Sequence, residues 1–171
     1  AKFAFAGKPL PKKDLAMMAM SYGNVYVARV AMGASQNQVV KAFMEAEAFD
    51  GPSLIIAYSH CIAHGINMAN GFVEQDKAVK SGHWPLIRFN PDLITEGKNP
   101  LQLDSKPPSI TYADYTEGEN RWRSLKGIDR DRAEKLAELA QKDVSMRFHV
   151  YEQLAKMDFN IDGDDNGSDS K

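Results

Sequence analysis

Apolar and polar positions alternate between two periods in the first half of the chain. Asp14 precedes a run in which Leu15, Met17, Met18 and Met20 recur at helical spacing, and Gly23 stands where such a helix would stop. Val25 to Met32 is apolar almost throughout, the pattern of a strand covered on both faces. Ser35 and Gln38 have capping-box spacing ahead of Val39, Phe43 and Ala46, which predicts a helix with those three on one face. Gly51-Pro52 ends it, and Ser53 to Tyr58 reads as a second buried strand, so a parallel strand–helix–strand unit is expected. A third helix is expected between Asn67 and Lys80. Trp84 to Phe89 can add a strand, which Pro85 assigns to a sheet edge or a strand start.

Beyond Asn90-Pro91 the pattern changes. Gly97 to Ser109 is rich in Pro, Asn and Ser and reads as a wrapping loop. Tyr112 to Leu125 looks helical. Arg130 to Lys156 predicts a long helix with Ala133, Leu136, Ala140, Val144, Phe148, Tyr151 and Ala155 on one stripe. Asp131/Lys135, Glu138/Lys142 and Glu152/Lys156 stand at i,i+4 spacing on its other faces. The fold class is therefore α/β, with a thin parallel sheet and a helical C-terminal extension. Strands of buried type in so thin a sheet leave an apolar edge unpaired, which folded proteins normally avoid. This, and a first residue that is Ala rather than Met, gives the expectation of one portion of a larger α/β protein.

Composition sharpens this picture. Of 171 residues, 43% are hydrophobic and 26% charged, enough for a packed core. No apolar run approaches the roughly 20 residues of a membrane-spanning helix, and Ala1 to Pro11 lacks the order of a secretory signal; a soluble, cytoplasmic protein without a membrane role is expected. The net charge of −2 offers nucleic acid no basic field. Five aspartates against Lys171 put −4 on residues 158–171, so the body before them carries +2 of that total. This tail is expected to be disordered. It contains a calcium-loop skeleton, Asp158-x-Asn160-x-Asp162-Gly163 with Asp169 at the twelfth place, but Asp165 stands where a hydrophobe belongs and the bidentate Glu is missing. A solvated tail is the favoured reading.

The main candidate for chemistry is Ser59-His60-Cys61-Ile62-Ala63-His64-Gly65, directly after the carboxyl end of the second strand, where open α/β sheets place ligands. Cys61 is a candidate metal or cluster ligand, or a nucleophile; a lone cysteine more often packs as a small hydrophobe. A zinc site from Cys61, His60, His64 and distant His83 would be irregular, because adjacent His60 and Cys61 struggle to face one tetrahedral ion. An iron–sulfur cluster usually takes four thiolates, and this chain holds one cysteine. A Cys–His nucleophile pair lacks an evident acid partner. Neither phosphate-binding glycine pattern occurs. His149 reads as a solvated or packing residue of the long helix.

From Tyr58 to Gly65 the sequence strongly resembles the C-terminal part of the pyruvate:ferredoxin (flavodoxin) oxidoreductases. The similarity runs from about Ala1 to Met157. It is dense at Ala19-Met20-Ser21-Tyr22-Gly23-Asn24-Val25-Tyr26-Val27-Ala28, Glu45-Ala46-Glu47-Ala48 and Gly51-Pro52-Ser53-Leu54-Ile55-Ile56-Ala57, and again at Ser81-Gly82-His83-Trp84-Pro85-Leu86 and from Gly97 to Lys106. The resemblance implies an enzyme that decarboxylates pyruvate on thiamine diphosphate with Mg2+, passes electrons through iron–sulfur clusters to ferredoxin or flavodoxin, forms acetyl-CoA, and works as a homodimer. It makes Cys61 one ligand of the [4Fe–4S] cluster nearest the thiamine, with three cysteines upstream of this segment. It also divides the chain into 1–90, the C-terminal part of the thiamine-diphosphate-binding α/β domain; 91–157, a wrapping loop and helices; and 158–171, the acidic tail, which lies outside the similarity. The family's G-D-G and N-T-G-G-Q signature is absent, so the segment alone is expected to be inactive. The alternative is a non-catalytic metal-binding or subunit-interaction module using the Cys61/His64 loop.

Overall fold

The computed structural model describes residues 7–160. Asp14 starts the first helix, α1 (Leu15–Met20), where its Oδ1 accepts from the amides of Ala16 (3.1 Å) and Met17 (3.2 Å), satisfying donors that a helix start leaves free. The chain enters β1 (Tyr26–Val30), passes through α2 (Gln36–Ala48) and returns as β2 (Ser53–Ala57), parallel to β1. Then come α3 (Gly71–Lys80), β3 (Ile87–Phe89) and β4 (Leu101–Leu103), followed by α4 (Tyr112–Thr116), α5 (Asn120–Ile128) and α6 (Arg130–Leu154).

The fold is α/β, but the sheet is mixed rather than parallel. Its order is β2-β1-β3-β4, and only β1 and β2 are parallel; β3 runs antiparallel to β1, and β4 antiparallel to β3. The direction of β3 follows from Trp84, whose Nε1–H donates to Val30 O (3.0 Å). That bond holds the incoming segment at the far end of β1, so the next strand runs back along it, pairing Ile87 with Arg29 and Phe89 with Val27. β3 is thus an interior strand, and Pro85 lies just ahead of it, where a missing N–H interrupts no ladder. β4 falls inside the stretch expected to be loop, because Leu101-Gln102-Leu103 is too short an alternation to register as a strand. No strand among the described residues pairs with the outer side of β2.

Each sheet face is covered by helices and carries one buried arginine. On one face α1 and the end of α6 cover Val27, Ile87, Phe89 and Leu101 with Ala16, Ala19 and Tyr151. There Arg29 donates to Asp14 Oδ1 (2.6 Å), and Tyr151 Oη–H donates to Asp14 Oδ2 (2.9 Å). On the other face α2 covers Tyr26, Ala28 and Val30 with Ala42, and Arg88 is bidentate to Asp104 (2.9 and 2.8 Å) and paired with Glu45.

Three local expectations change. Ser35 Oγ accepts from the Gln38 amide (3.3 Å), but the Gln38 side chain donates to Arg29 O (3.2 Å) and Asp104 (3.1 Å) instead of closing a capping box. Phe43 is 56% exposed beside exposed Val40 and Met44, since Gln38 and Ala42 take the inner face of α2. The helix expected over 112–125 is two, separated at Gly118-Glu119. Ala133, Val144, Phe148 and Tyr151 of α6 are buried as its stripe requires; its ion pairs at i,i+4 are Arg130–Glu134 and Asp143–Arg147. Among the described residues no helix is long and apolar enough to cross a membrane. Of the calcium-loop pattern, Asp162 to Asp169 lie outside the described residues.

Candidate functional site

The Cys61 loop is built by the ends of two parallel strands. Tyr58 N–H donates to Val30 O (2.9 Å), carrying the ladder one residue past β2. The chain then leaves the sheet and makes a 3-10 turn, Ile62–His64, closed by His64 N–H to Cys61 O (3.0 Å). Gly65 exits at φ +70°, and a Cβ there would stand 2.7 Å from Asn120 Cβ, so this close left-handed corner requires glycine.

Cys61 is exposed, which overturns the expectation that a lone thiol packs as a hydrophobe. The Ala63 amide donates to Cys61 Sγ at 3.4 Å, and the Cys61 amide donates to His64 Nδ1 at 3.1 Å. An accessible sulfur that receives a backbone N–H is suited to serve as a thiolate ligand, because hydrogen bonds to the sulfur stabilise its charge. No group of three or more His, Cys, Asp or Glu side chains with metal-binding placement occurs among the described residues, so the irregular zinc set of Cys61, His60, His64 and His83 is not assembled. Cys61 therefore has the exposure and the backbone donor of a single thiolate ligand, without further ligands gathered beside it among the described residues.

The two histidines of the loop differ. The His60 side chain is 2% exposed and lies edge-on to Tyr58 at 5.0 Å and to His64 at 5.8 Å. Burial lowers its pKa, opposed by the charge of Glu119. His60 Nε2 is 3.7 Å from Glu119 Oε1, and neither ring nitrogen makes a hydrogen bond. With a neutral ring at that distance, the contact is polar proximity rather than an ion pair.

Glu119, which the sequence does not single out, is 0% exposed. Tyr115 Oη–H donates to its Oε1 (3.0 Å) and Trp122 Nε1–H to its Oε2 (2.8 Å). Tyr58 and Tyr115 are hydrogen-bonded through their hydroxyls; because Tyr115 spends its one proton on Glu119, Tyr58 is the donor to Tyr115. Burial pushes the Tyr58 phenol up to about 12 and the Tyr115 phenol higher still, so both remain donors. Tyr58 also meets Trp84 edge-on at 5.0 Å. Only a Gly-Glu-Asn break ahead of a helix hinted at this acid, and nothing in that pattern signals burial.

His83 lies deeper, 8% exposed and stacked on Tyr115 at 5.2 Å. Lys12 Nζ donates to its Nε2 at 3.5 Å. Burial, with Lys12 close by, holds the His83 pKa well below its usual value. Beside this pair lies a cavity of about 650 Å³ lined by Lys12, His64, His83, Trp122, Leu136 and Val144 among others. His149 sits on the exposed side of α6, 3.8 Å from Glu152.

No family model matches the chain. Curated relatives do, among them these three. The pyruvate-flavodoxin oxidoreductase of Trichormus variabilis is 55% identical over 91% of this chain. The pyruvate:ferredoxin oxidoreductase of Moorella thermoacetica is 54% identical over 91%, and the mitochondrial pyruvate dehydrogenase [NADP(+)] of Euglena gracilis is 47% identical over 90%. The chain spans 13% of the length of the first two and 9% of the third. By sequence, this chain corresponds to one segment of the pyruvate-flavodoxin and pyruvate:ferredoxin oxidoreductases.

Proposed function

We propose that the chain is the part of a cytoplasmic pyruvate:ferredoxin or pyruvate-flavodoxin oxidoreductase that completes its thiamine-diphosphate domain and gives one thiolate, Cys61, to the adjacent [4Fe–4S] cluster. In that enzyme, thiamine diphosphate with Mg2+ supplies the carbanion chemistry that releases CO2 from pyruvate, and the clusters relay electrons to ferredoxin or flavodoxin as acetyl-CoA forms. The remainder of the enzyme supplies the other cluster ligands and, in the homodimer, the sites for thiamine, pyruvate and CoA. The observation that carries this reading is the exposed Cys61 thiol at the carboxyl end of β2, receiving the Ala63 N–H with no co-ligands gathered beside it among the described residues. The unpaired side of β2 and the apolar surface of α2 at Val40, Phe43 and Met44 fit a segment made to be covered by further protein.

The segment alone is then inactive. In the full-length enzyme, Cys61→Ala lowers iron per protomer and abolishes pyruvate-dependent ferredoxin reduction, read by iron assay and steady-state kinetics. Wild-type iron content in that variant would end the ligand assignment.

A further inference from the structure

We infer that Glu119 is the positioning residue of the Cys61 loop: a buried carboxylate from the start of α5 that fixes His60, and through it the direction of the Cys61 thiol. The inference rests on Cys61 being a cluster ligand, as proposed above, and adds the device that holds that ligand in place.

A carboxylate that is 0% exposed is costly unless its oxygens are satisfied. Here each oxygen takes one donor, Tyr115 Oη–H on Oε1 and Trp122 Nε1–H on Oε2. Both donors are neutral, and the basic group of the loop that faces the carboxylate is the His60 ring, 3.7 Å from Oε1. His60 is itself enclosed, and both of its ring nitrogens lack a hydrogen-bond partner. Glu119 is satisfied and held in place by those two donors, whereas His60 keeps two unpartnered ring nitrogens, and a buried polar group left without a hydrogen bond calls for an explanation.

The remaining contacts show how the contact is directed. Tyr58, two residues before His60, reaches Glu119 through the Tyr115 hydroxyl and holds the His60 ring edge-on. At the other end of the loop, Gly65 packs directly on Asn120, the residue after Glu119. Residues 119–120 therefore grip the loop at both ends, with Cys61 between the grips. Movement of this grip shifts the Ala63 N–H relative to Cys61 Sγ, and hydrogen bonds to cluster sulfurs are one determinant of reduction potential. A ligand-orienting partner of this kind acts on the metal although it never touches it.

The test uses the full-length enzyme. Glu119→Ala, Glu119→Gln and Trp122→Phe are compared with wild type for iron content, the electron paramagnetic resonance of the reduced clusters, the midpoint potential of the cluster served by Cys61, KM for pyruvate and thermal midpoint. Trp122→Phe releases one carboxylate oxygen while keeping an aromatic ring, and stands in for Glu119→Ala if that protein does not fold. Glu119→Ala and Trp122→Phe are expected to shift the potential by a tenfold change in the reduced-to-oxidised ratio, about 59 mV for one electron, and to alter the resonance at unchanged KM. Glu119→Gln, which keeps the volume and one acceptor oxygen, is expected to lie nearer wild type. A lowered thermal midpoint with wild-type potential and resonance in both Glu119→Ala and Trp122→Phe would overturn the inference and leave Glu119 a packing residue. Cys61→Ser separates the two claims. If it leaves iron, resonance and potential unchanged, the ligand assignment fails and this inference with it; if it alters them while the Glu119 and Trp122 variants do not, only the positioning role fails.

Discussion

His83 predicts a pH dependence of stability that can be worked out from its surroundings. Its ring is buried against Tyr112 and Tyr115, Lys12 Nζ stands 3.5 Å from Nε2, and its Nδ1 has no hydrogen-bond partner. Burial, then the charges of Lys12, Arg147 and Arg29, push its folded-state pKa well below 6.5. In the unfolded chain the imidazole titrates near its ordinary value, so below that pH the unfolded state binds a proton that the folded state refuses. The stability is whole above pH 6.5 and is lost as the pH falls through the window down to the folded-state pKa. Between about pH 7 and about pH 5.5 the loss is about 1.3 kcal/mol, and it approaches about 1.4 kcal/mol for each further unit until the folded ring protonates. The assay is urea denaturation of the 171-residue chain, kept dilute enough to prevent edge-to-edge association, followed by the fluorescence of Trp84 and Trp122, for wild type and His83→Gln. Glutamine cannot titrate but leaves an acceptor for Lys12. The variant should lose about 1.3 kcal/mol less than wild type over that interval, or about 3–5 °C in thermal midpoint. Parallel losses in the two proteins would refute the argument, because His83 would then contribute nothing to the proton linkage.

Two further substitutions probe the frame around the site. Arg88→Met removes the cation that Asp104 and Glu45 share on the buried face under α2; with both acids partly open to water, the cost falls near the lower end of the range for breaking a buried pair, about 3 kcal/mol by chemical denaturation, and a change below about 1 kcal/mol would contradict it. Gly33→Ala sets a Cβ 2.4 Å from Phe72 O and 2.6 Å from Phe72 Cα. Backbone cannot rotate away as a side chain can, so a loss of about 1–3 kcal/mol or more is expected in the thermal midpoint.

The sequence made some of this legible and hid the rest for identifiable reasons. Asp14, Ser35, Val25–Met32 and Ser53–Tyr58 gave α1, α2, β1 and β2, because caps and apolar runs are local signals that survive in the fold. The direction of β3 was not legible, since it depends on one bond from Trp84 to Val30 across 54 positions. β4 was hidden by its brevity. Arg29, the one charge within β1, finds its partner in Asp14, fifteen positions away, which no local pattern signals. At the site, the Cys61 loop stood out through an uncommon residue at a strand end. Glu119 did not, because the burial of an acid is decided by Tyr115, Trp122 and the fold of α4 against α5, not by the residues beside it.

The side of β2 that no described strand pairs has a consequence for the proposed full-length enzyme. Where the remainder of the proposed enzyme covers that side, the strand is interior and silent. If proteolysis or incomplete synthesis released this segment, alternate residues of β2 would offer free backbone groups along that side, with Leu54, Ile55 and Ile56 only half covered. Such an edge captures other strands readily, so a detached segment would be drawn into aggregates or recognised by chaperones and proteases. On the proposed reading, the same open side that joins the segment to the rest of the enzyme marks it for removal once that remainder is gone.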